Sequence, residues 1–471
     1  MATVENNALF SYPYAMKRLL SQQLSHWAED PRRRALILRG ARQVGKTWII
    51  RELAREQGLD LLELNFERDP GLARTFDTPD PRRILGDLEL LLEHAIQNDR
   101  SLLFLDEIQD APELLQKLRW FTEEIPELRV VAAGSLLEFA IRQPDVSIPV
   151  GRVTYLHMDA MSFEEYLMAH GQAMLLQRLA QWTPGESINE VVHQKASEWY
   201  ERYMMVGGMP GVVVSDVEQG HPGSCRRMQT DLVAAFREDF AKYAARTDPS
   251  LIDRTLQAVT AQLGSKFVYA KVNDGITDTQ AKRSLELLQQ ARLVCLAYHS
   301  QANGIPLGGE IKARNKKAFL LDIGLVHAMQ RTPAGAVFPK MGDLSPSIRG
   351  KLSEQMANQQ LRSMNPARGD EPLLYYWQQS GGRHGEIDLL VEIDQHIVPV
   401  ELKAGSAGSM KSLHQFMHDK KLAFAVRVDT NPPSLQNLDL KTTQGDRAAY
   451  TLLAIPGYLL WRLPQLCSPL L

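Results

Sequence analysis

The sequence is poor in the features that mark several whole classes of protein. It has only three cysteines in 471 residues, Cys225, Cys295 and Cys467, and no two of them make a CxxC pair. That spacing argues against a disulfide framework or a zinc site and fits a reducing compartment, with the three as ordinary buried thiols. No apolar run approaches the ~18 residues that a membrane helix needs. The opening MATVENNALFSYPYAMKRLL lacks the ordered basic, apolar and cleavage regions of a signal peptide. A cytoplasmic protein with no membrane partner is expected. The net charge is only −3, so any affinity for nucleic acid has to come from local patches. There is no Ser-His-Asp order, no reactive cysteine context and no dinucleotide fingerprint with its strand and acid, which argues against direct chemistry on a small metabolite. Glycine and proline are scattered without repeats or low-complexity tracts.

What is present is a folded, multidomain composition. Apolar residues make up 44% and charged residues 23% of the chain, and the length exceeds one core of usual size, so about two to four domains are expected.

The stretch Leu36 to Leu53, LILRGARQVGKTWIIREL, is an apolar run broken by glycines, a lysine and a threonine. Gly40, Gly45, Lys46 and Thr47 satisfy G-x-x-x-x-G-K-[ST]; ALILRG before them reads as a buried strand and TWIIRELAREQ after them as an amphipathic helix. In that setting the loop amides and the helix N-terminus face phosphates. Gly40, Gln43, Val44, Gly45, Lys46, Thr47 and Trp48 are therefore expected to hold a nucleotide, with Lys46 on its β- and γ-oxygens and Thr47 on Mg2+. A second apolar strand, SLLFLDEIQD, ends in Asp106, expected in the Mg2+ shell, and Glu107, expected to orient or deprotonate the attacking water. The next, LRVVAAGSLLEFA, breaks at Gly134 and Ser135. Ser135 is placed to sense the γ-phosphate or the water, its plain alternative being a helix cap. Arg142 and Arg152 precede a further strand, and Arg152 is favoured over Arg142 as the arginine that meets developing charge, in many ATPases from a neighbouring subunit; the plain alternative is a surface arginine.

RGARQVGKT, FLDEIQ, AAGSLLEF and PVGRVTYLHMDAMSFEEYL, followed later by YMMVGGMPGVV and KKAFLLDIGL, resemble the successive motifs of AAA+ superfamily ATPases of bacteria and archaea that carry an uncharacterised C-terminal domain. The resemblance implies an α/β fold whose P-loop parallel sheet is flanked by helices, over residues 1–160. It also implies ATP and Mg2+ as cofactors and a homo-oligomer, with a hexameric ring among the options.

Residues 161–250 read as helical, interrupted at MVGGMPGVVVSD. Residues 251–332 read as a winged helix: SLIDRTLQAVTAQLG, FVYAKVN and TDTQAKRSLELLQQARL as three helices, the last capped by Thr277 or Asp278, then VCLAYHS and KKAFLLD as a strand pair with a wing between. Lys282 and Arg283 on the third helix, with Lys312, Arg314, Lys316 and Lys317 at the wing, are DNA-binding candidates. Such domains also dock proteins.

In residues 345–471 the chemically loaded stretch is QQSGGRHGEIDLLVEIDQHIVPVELKAG. EIDLLVEI and HIVPVELK read as an antiparallel hairpin turning at DQ. Asp388 lies on its first strand, with Glu401 and Lys403 two apart on one face of its second. With Glu354 from the helix GKLSEQMANQQLRSM, these acids make a site for Mg2+ or Mn2+, with Lys403 to polarise water or steady the scissile phosphate. An acid on a helix, then D, then E-x-K across a hairpin resembles the PD-(D/E)xK nuclease superfamily. That implies a C-terminal α/β restriction-nuclease-like domain, here without a proline directly before Asp388. Gly381, Gly382, Arg383 and His384 read as a surface loop able to reach phosphate.

The expected function is an ATP-binding and hydrolysing protein acting on DNA through a metal-dependent nuclease or DNA-binding module, on branched or foreign DNA. The alternative is a nucleotide-switched scaffold or regulator whose nuclease-like domain only binds DNA or a partner protein. A sequence-specific transcription regulator is a third reading and rests on the winged helix alone.

Overall fold

The computed structural model describes residues 16–471 apart from 143–145, 150, 244–246, 273–274, 336–337, 365–372, 380–384 and 407. It divides into two compact units. The first takes the chain to Asp159 with the short piece Gln290–Arg292; the second takes Ala160–Gln289, Leu293–Met364 and the described residues onward to Leu471. No described helix is long and apolar enough to cross a membrane.

The first unit is built on five parallel strands, β1 (Ala35–Gly40), β2 (Asp60–Asn65), β3 (Ser101–Asp106), β4 (Arg129–Ala133) and β5 (Val153–Met158), in the order β2-β3-β4-β1-β5. Every residue of β3 is buried, as an apolar strand covered on both faces should be. Leu103 and Leu105 pack with Ile37, Leu64, Phe66 and Ala132 in one core cluster. The order puts β4 between the strand that feeds the glycine loop and the strand that ends in Asp106. Three loops therefore meet at the C-terminal edge of the sheet, where parallel sheets bind ligands.

The second unit combines helices with an eight-stranded mixed sheet of order β12-β13-β11-β10-β9-β8-β6-β7. Its strands are β6 (Val294–Ser300), β7 (Ile311–Leu320), β8 (Leu374–Gln378), β9 (Glu386–Ile393), β10 (His396–Leu402), β11 (Phe424–Asp429), β12 (Ser434–Lys441) and β13 (Arg447–Pro456). β9 and β10 are antiparallel, and Asp394 and Gln395 both take positive φ, 46° and 65°, the backbone that a two-residue hairpin turn demands. Residues 160–243 fold into five helices. The helices expected at 251–290 form as Pro249–Ala261, a short turn at Tyr269–Lys271 and Asp278–Gln290, the last opened by a reciprocal Thr277–Gln280 cap. β6 and β7 pair as a hairpin. β6 also pairs in parallel with β8, so the two strands read as a wing belong to the edge of the sheet that carries the acidic hairpin.

Two separate glycine-rich motifs of the sequence meet in this unit. Gly207 sits at φ 78°, and Asp322, of LLDIGL, accepts from Gly208 N at 2.6 Å, Gly324 N at 2.8 Å and Gln359 Nε2 at 2.8 Å. Gln359 lies on the helix Pro346–Ser363, whose Gln355 also bonds both backbone groups of Leu320, at 3.0 and 2.8 Å. A polar helix face is thus buried by being stitched to backbone. Asp322→Ala leaves several buried N–H groups without an acceptor and is expected to cost about 2–4 kcal/mol. The urea midpoint of the unit should fall accordingly, and an unchanged midpoint would contradict this role.

Candidate functional site

In the first unit the glycine loop is held by geometry that its residues dictate. A Cβ on Gly40 would meet Met158 O at 2.5 Å, so the strand end tolerates no side chain. Gly45, at φ 98°, is the left-handed N-cap of the helix Lys46–Gln57. Arg18, which no motif flags, is buried and donates to Val44 O at 2.8 Å and to Asp159 O at 2.6 Å, bracing the loop from behind. Lys46 curls over the loop and gives its ammonium to Gly40 O at 3.0 Å and Ala41 O at 2.8 Å. Burial lowers its pKa to about 8 against the pull of Glu107 and Asp106.

Thr47 Oγ1 donates to Asp106 Oδ2 at 3.1 Å, and Asn65 Nδ2 to the same oxygen at 3.2 Å. Glu107, in left-handed backbone at φ 51°, accepts through Oε2 from Ser135 N at 3.1 Å, Ser135 Oγ at 3.2 Å and Gln109 Nε2 at 2.8 Å. The structure therefore brings Lys46, Thr47, Asp106, Glu107 and Ser135 together, and adds Asn65 and Gln109. Asn65 ends β2, which pairs beside β3 with Asn65 opposite Asp106, a neighbour that no local sequence pattern reveals. A Cβ on Gly134 would displace the end of the Gln109 side chain. Gln43 is exposed at φ 64°, Val44 is buried and Trp48 is half-buried.

The arginines stand elsewhere. β5 pairs with β1 in parallel, Ala35 beside Val153 and Gly40 beside Met158. Arg152 therefore sits at the N-terminal edge of the sheet, roughly 20 Å from the loop of its own chain at the usual strand rise. It pairs there with Glu123 at 2.6 Å. Its own loop is thus out of its reach, which the sequence alone does not reveal because the edge is set by strand register. Arg142 is exposed, one residue past the helix Leu137–Ile141.

The second unit holds the acidic centre. Carboxylate oxygens of Glu354, Glu386 and Asp388 lie within 4.8 Å of one another. Glu386 was not expected; it sits two residues before Asp388 on the same face of β9, and that E-x-D spacing was the available signal. Lys317, read above as a wing residue for DNA, is instead 1% exposed. It bonds Glu354 Oε1 at 2.5 Å and pairs with Glu386, its ammonium 4.9 Å from the Tyr376 ring. Burial alone would lower its pKa, but the two carboxylates outweigh that and raise it. Lys317 cannot meet a DNA backbone from there. Lys282, Arg283 and Arg314 are exposed, while Lys312 and Lys316 are half-buried, Lys316 over the Tyr269 ring.

Asp388 Oδ2 accepts from Leu402 N at 2.7 Å. Lys403 gives its ammonium to Glu401 Oε1 at 2.5 Å, while the buried Glu401 Oε2 has no hydrogen-bond partner among the described residues. Burial and the Asp388 charge raise Glu401 to about 7 against Lys403; burial raises Glu354 to about 7 against Lys317. Asp388 is also raised, by burial first. The all-carboxylate donor set of Glu354, Glu386 and Asp388 fits a hard divalent cation, and Glu401, expected as a ligand, is not among the three. Gly381, Gly382, Arg383 and His384 lie outside the described residues.

Asp106 is raised to about 6, by burial first and then by Glu107 and Glu63. A carboxyl whose folded pKa lies above its unfolded value loses stability as pH climbs from about 4 through 6, with the full penalty above. Asp106→Asn should therefore stabilise the nucleotide-free protein by about 1–3 kcal/mol at neutral pH and above, a gain that shrinks as pH is lowered toward 4. Thermal unfolding across pH checks this; a gain independent of pH, or none, would contradict it.

Three segments match protein families: residues 32–167 an AAA domain, residues 197–335 a domain of unknown function (DUF8612) and residues 349–437 another (DUF4143). No curated protein matches the chain. Among solved structures, the chain is similar to the Walker-type ATPase PABY2304 of Pyrococcus abyssi, at 16% identity over 66% of this chain and 94% of that one, TM-score 0.39. It is also similar to the ORC2 protein of Aeropyrum pernix in its ADPNP–ADP complexes, at 14% identity over 67% and 94%, TM-score 0.31. Both scores are low, and the family match carries the weight. Together with the parallel sheet, the AAA match over residues 32–167 supports an ATPase of the AAA P-loop type in this part of the chain.

Proposed function

We propose that the chain couples Mg2+-dependent ATP hydrolysis in its first unit to a metal-dependent centre in its second that acts on DNA phosphodiesters, the substrate being branched or foreign DNA. The hydrolytic reading rests on one observation above others: Glu107 is held by Ser135 and Gln109 beside a Thr47–Asp106 bond, all at one sheet edge. Thr47 and Asp106 would hold the Mg2+, which screens phosphate charge. Lys46 would leave the loop carbonyls for the β- and γ-oxygens, and Glu107 would orient and take the proton of the attacking water. Ser135, bonded to that carboxylate, is placed to report whether a γ-phosphate is present. The arginine on the developing charge is proposed to be Arg142, or Arg152 of a second copy, the latter requiring a homo-oligomer, with a hexameric ring among the options.

In the second unit Glu354, Glu386 and Asp388 would hold a divalent cation, with Glu401 Oε2 as a further donor. Such an ion polarises the scissile phosphate and acidifies water. Lys403, released from Glu401, would steady the phosphate. The exposed Lys282, Arg283 and Arg314, with Lys312 and Lys316, are proposed to meet the DNA backbone. The scaffold reading is favoured by one observation: Lys317 already neutralises Glu354 and Glu386, so the acids can stand together without a metal.

Glu107→Gln is expected to retain ATP while steady-state hydrolysis drops at least about a hundredfold, the usual range for losing a general base; unchanged turnover in a phosphate-release assay would refute the assigned role. Calorimetric titration of Mn2+ into Lys46→Ala protein should show binding that Asp388→Asn removes. Equal binding by both would place the ion elsewhere.

A further inference from the structure

The acidic centre already contains one cation, and it stands where a metal ion would. Lys317, on β7, gives its ammonium to Glu354 Oε1 at 2.5 Å and to Glu386 Oε1. Divalent ions sit roughly 2.0–2.6 Å from carboxylate oxygens, so this nitrogen bridges two of the three acids at the reach of a metal.

The centre has a closed end and an open end. The side chain of Lys317 is 1% exposed and that of Glu354 9%, against 36% for Glu386. The backbone at Lys317 is held on both sides, by Ala297 of β6 and by a bridge to Lys266, and the ammonium faces the Tyr376 ring at 4.9 Å. Lys317 is therefore a fixed cation at the closed end.

It uses only part of each acid. Lys317 takes one oxygen of Glu354 and one of Glu386, and Leu402 N takes Asp388 Oδ2 at 2.7 Å. Each carboxylate keeps a second oxygen for another cation. A Cβ on Gly264 would stand 2.9 Å from Glu354 Oε2, so the glycine leaves space beside that oxygen. Charge sets how many ions can follow. Lys403 and Glu401 balance each other, and three carboxylates against the Lys317 ammonium leave two negative charges. One divalent ion cancels them, and a second would leave buried positive charge in excess.

Two-metal sites clamp the reacting phosphate between ions about 3.5–4 Å apart. We infer that this is a one-metal centre, in which the Lys317 ammonium fills the inner of two cation positions and a single divalent ion takes the outer one, on the remaining oxygens of Glu354, Glu386 and Asp388. The inference rests on the proposal that these acids hold a divalent cation, and fixes how many. Lys317 is a positioning residue: an ammonium balances charge but offers no coordination position to a water, so the inner position activates none.

The test compares bound Mn2+ in full-length Lys46→Ala protein with and without Lys317→Met, which keeps the length of the side chain and removes its charge. Equilibrium dialysis should give one Mn2+ per chain that Asp388→Asn removes, and two in Lys317→Met, where the inner position is vacated. Frozen-solution electron paramagnetic resonance should show an isolated Mn2+ in the first and an exchange-coupled pair in the second; an ion at a distant surface site gives no coupling. A coupled pair in protein that retains Lys317, or no coupled pair in Lys317→Met, overturns the inference and leaves the metal reading intact. If Asp388→Asn removes no Mn2+ from the protein that retains Lys317, both fall. Lys317→Met leaves three acids crowded together, so Mn2+ should raise its unfolding midpoint more than that of its parent. A variant that does not fold even at saturating Mn2+ also overturns the inference, because a divalent ion then does not take the place of the ammonium.

Discussion

A charge taken out of water costs several kcal/mol unless an opposite charge or a full set of hydrogen bonds goes with it, and both centres of this chain are organised by that constraint. Lys46 is buried, and its ammonium is supported by loop carbonyls and by the nearby Asp106 and Glu107. In the second unit Lys317 stands between Glu354 and Glu386, and Lys403 against Glu401. Of the three lysines, Lys317 stands between two carboxylates that would otherwise repel one another.

Sheet order decides which charges meet. Inserting β4 between β1 and β3 delivers Ser135 to Glu107 across nearly thirty residues of sequence. The parallel register that does this sends Arg152 to the opposite edge. In the second unit the hairpin β6–β7 joins β8 and β9 in one sheet, and that junction carries Lys317 into the acidic centre. The helix Pro346–Ser363 supplies Glu354 because its glutamines are bonded to the backbone of residues 320–323.

Much of this was legible in the sequence wherever a local pattern carries its own geometry. The glycine loop between a strand and a helix, the acids ending an apolar strand, and the hairpin with Asp394 and Gln395 at its turn all need only period and spacing to be read. What was not legible depends on pairing partners distant in sequence. Lys316 and Lys317 are adjacent in a basic run, yet strand alternation sends one to a tyrosine ring at the surface and the other into the acids. Which of the two goes inward is fixed by the neighbour β6, not by KARNKK. Glu386 lies on β9, outside the E-x-K pattern that starts on β10. Arg18 carries no motif, since it recognises only backbone carbonyls.

The claim that the two centres serve one activity on DNA is tested most directly by DNA cleavage. Wild-type protein and Asp388→Asn are incubated with Mg2+ or Mn2+ and linear, single-stranded or branched DNA, with and without ATP. The account predicts that wild type cuts at least one of these substrates, that ATP changes the rate, and that Asp388→Asn does not cut. Wild-type protein that leaves every substrate intact under all of these conditions, or an Asp388→Asn protein that cuts as well as wild type, would contradict it.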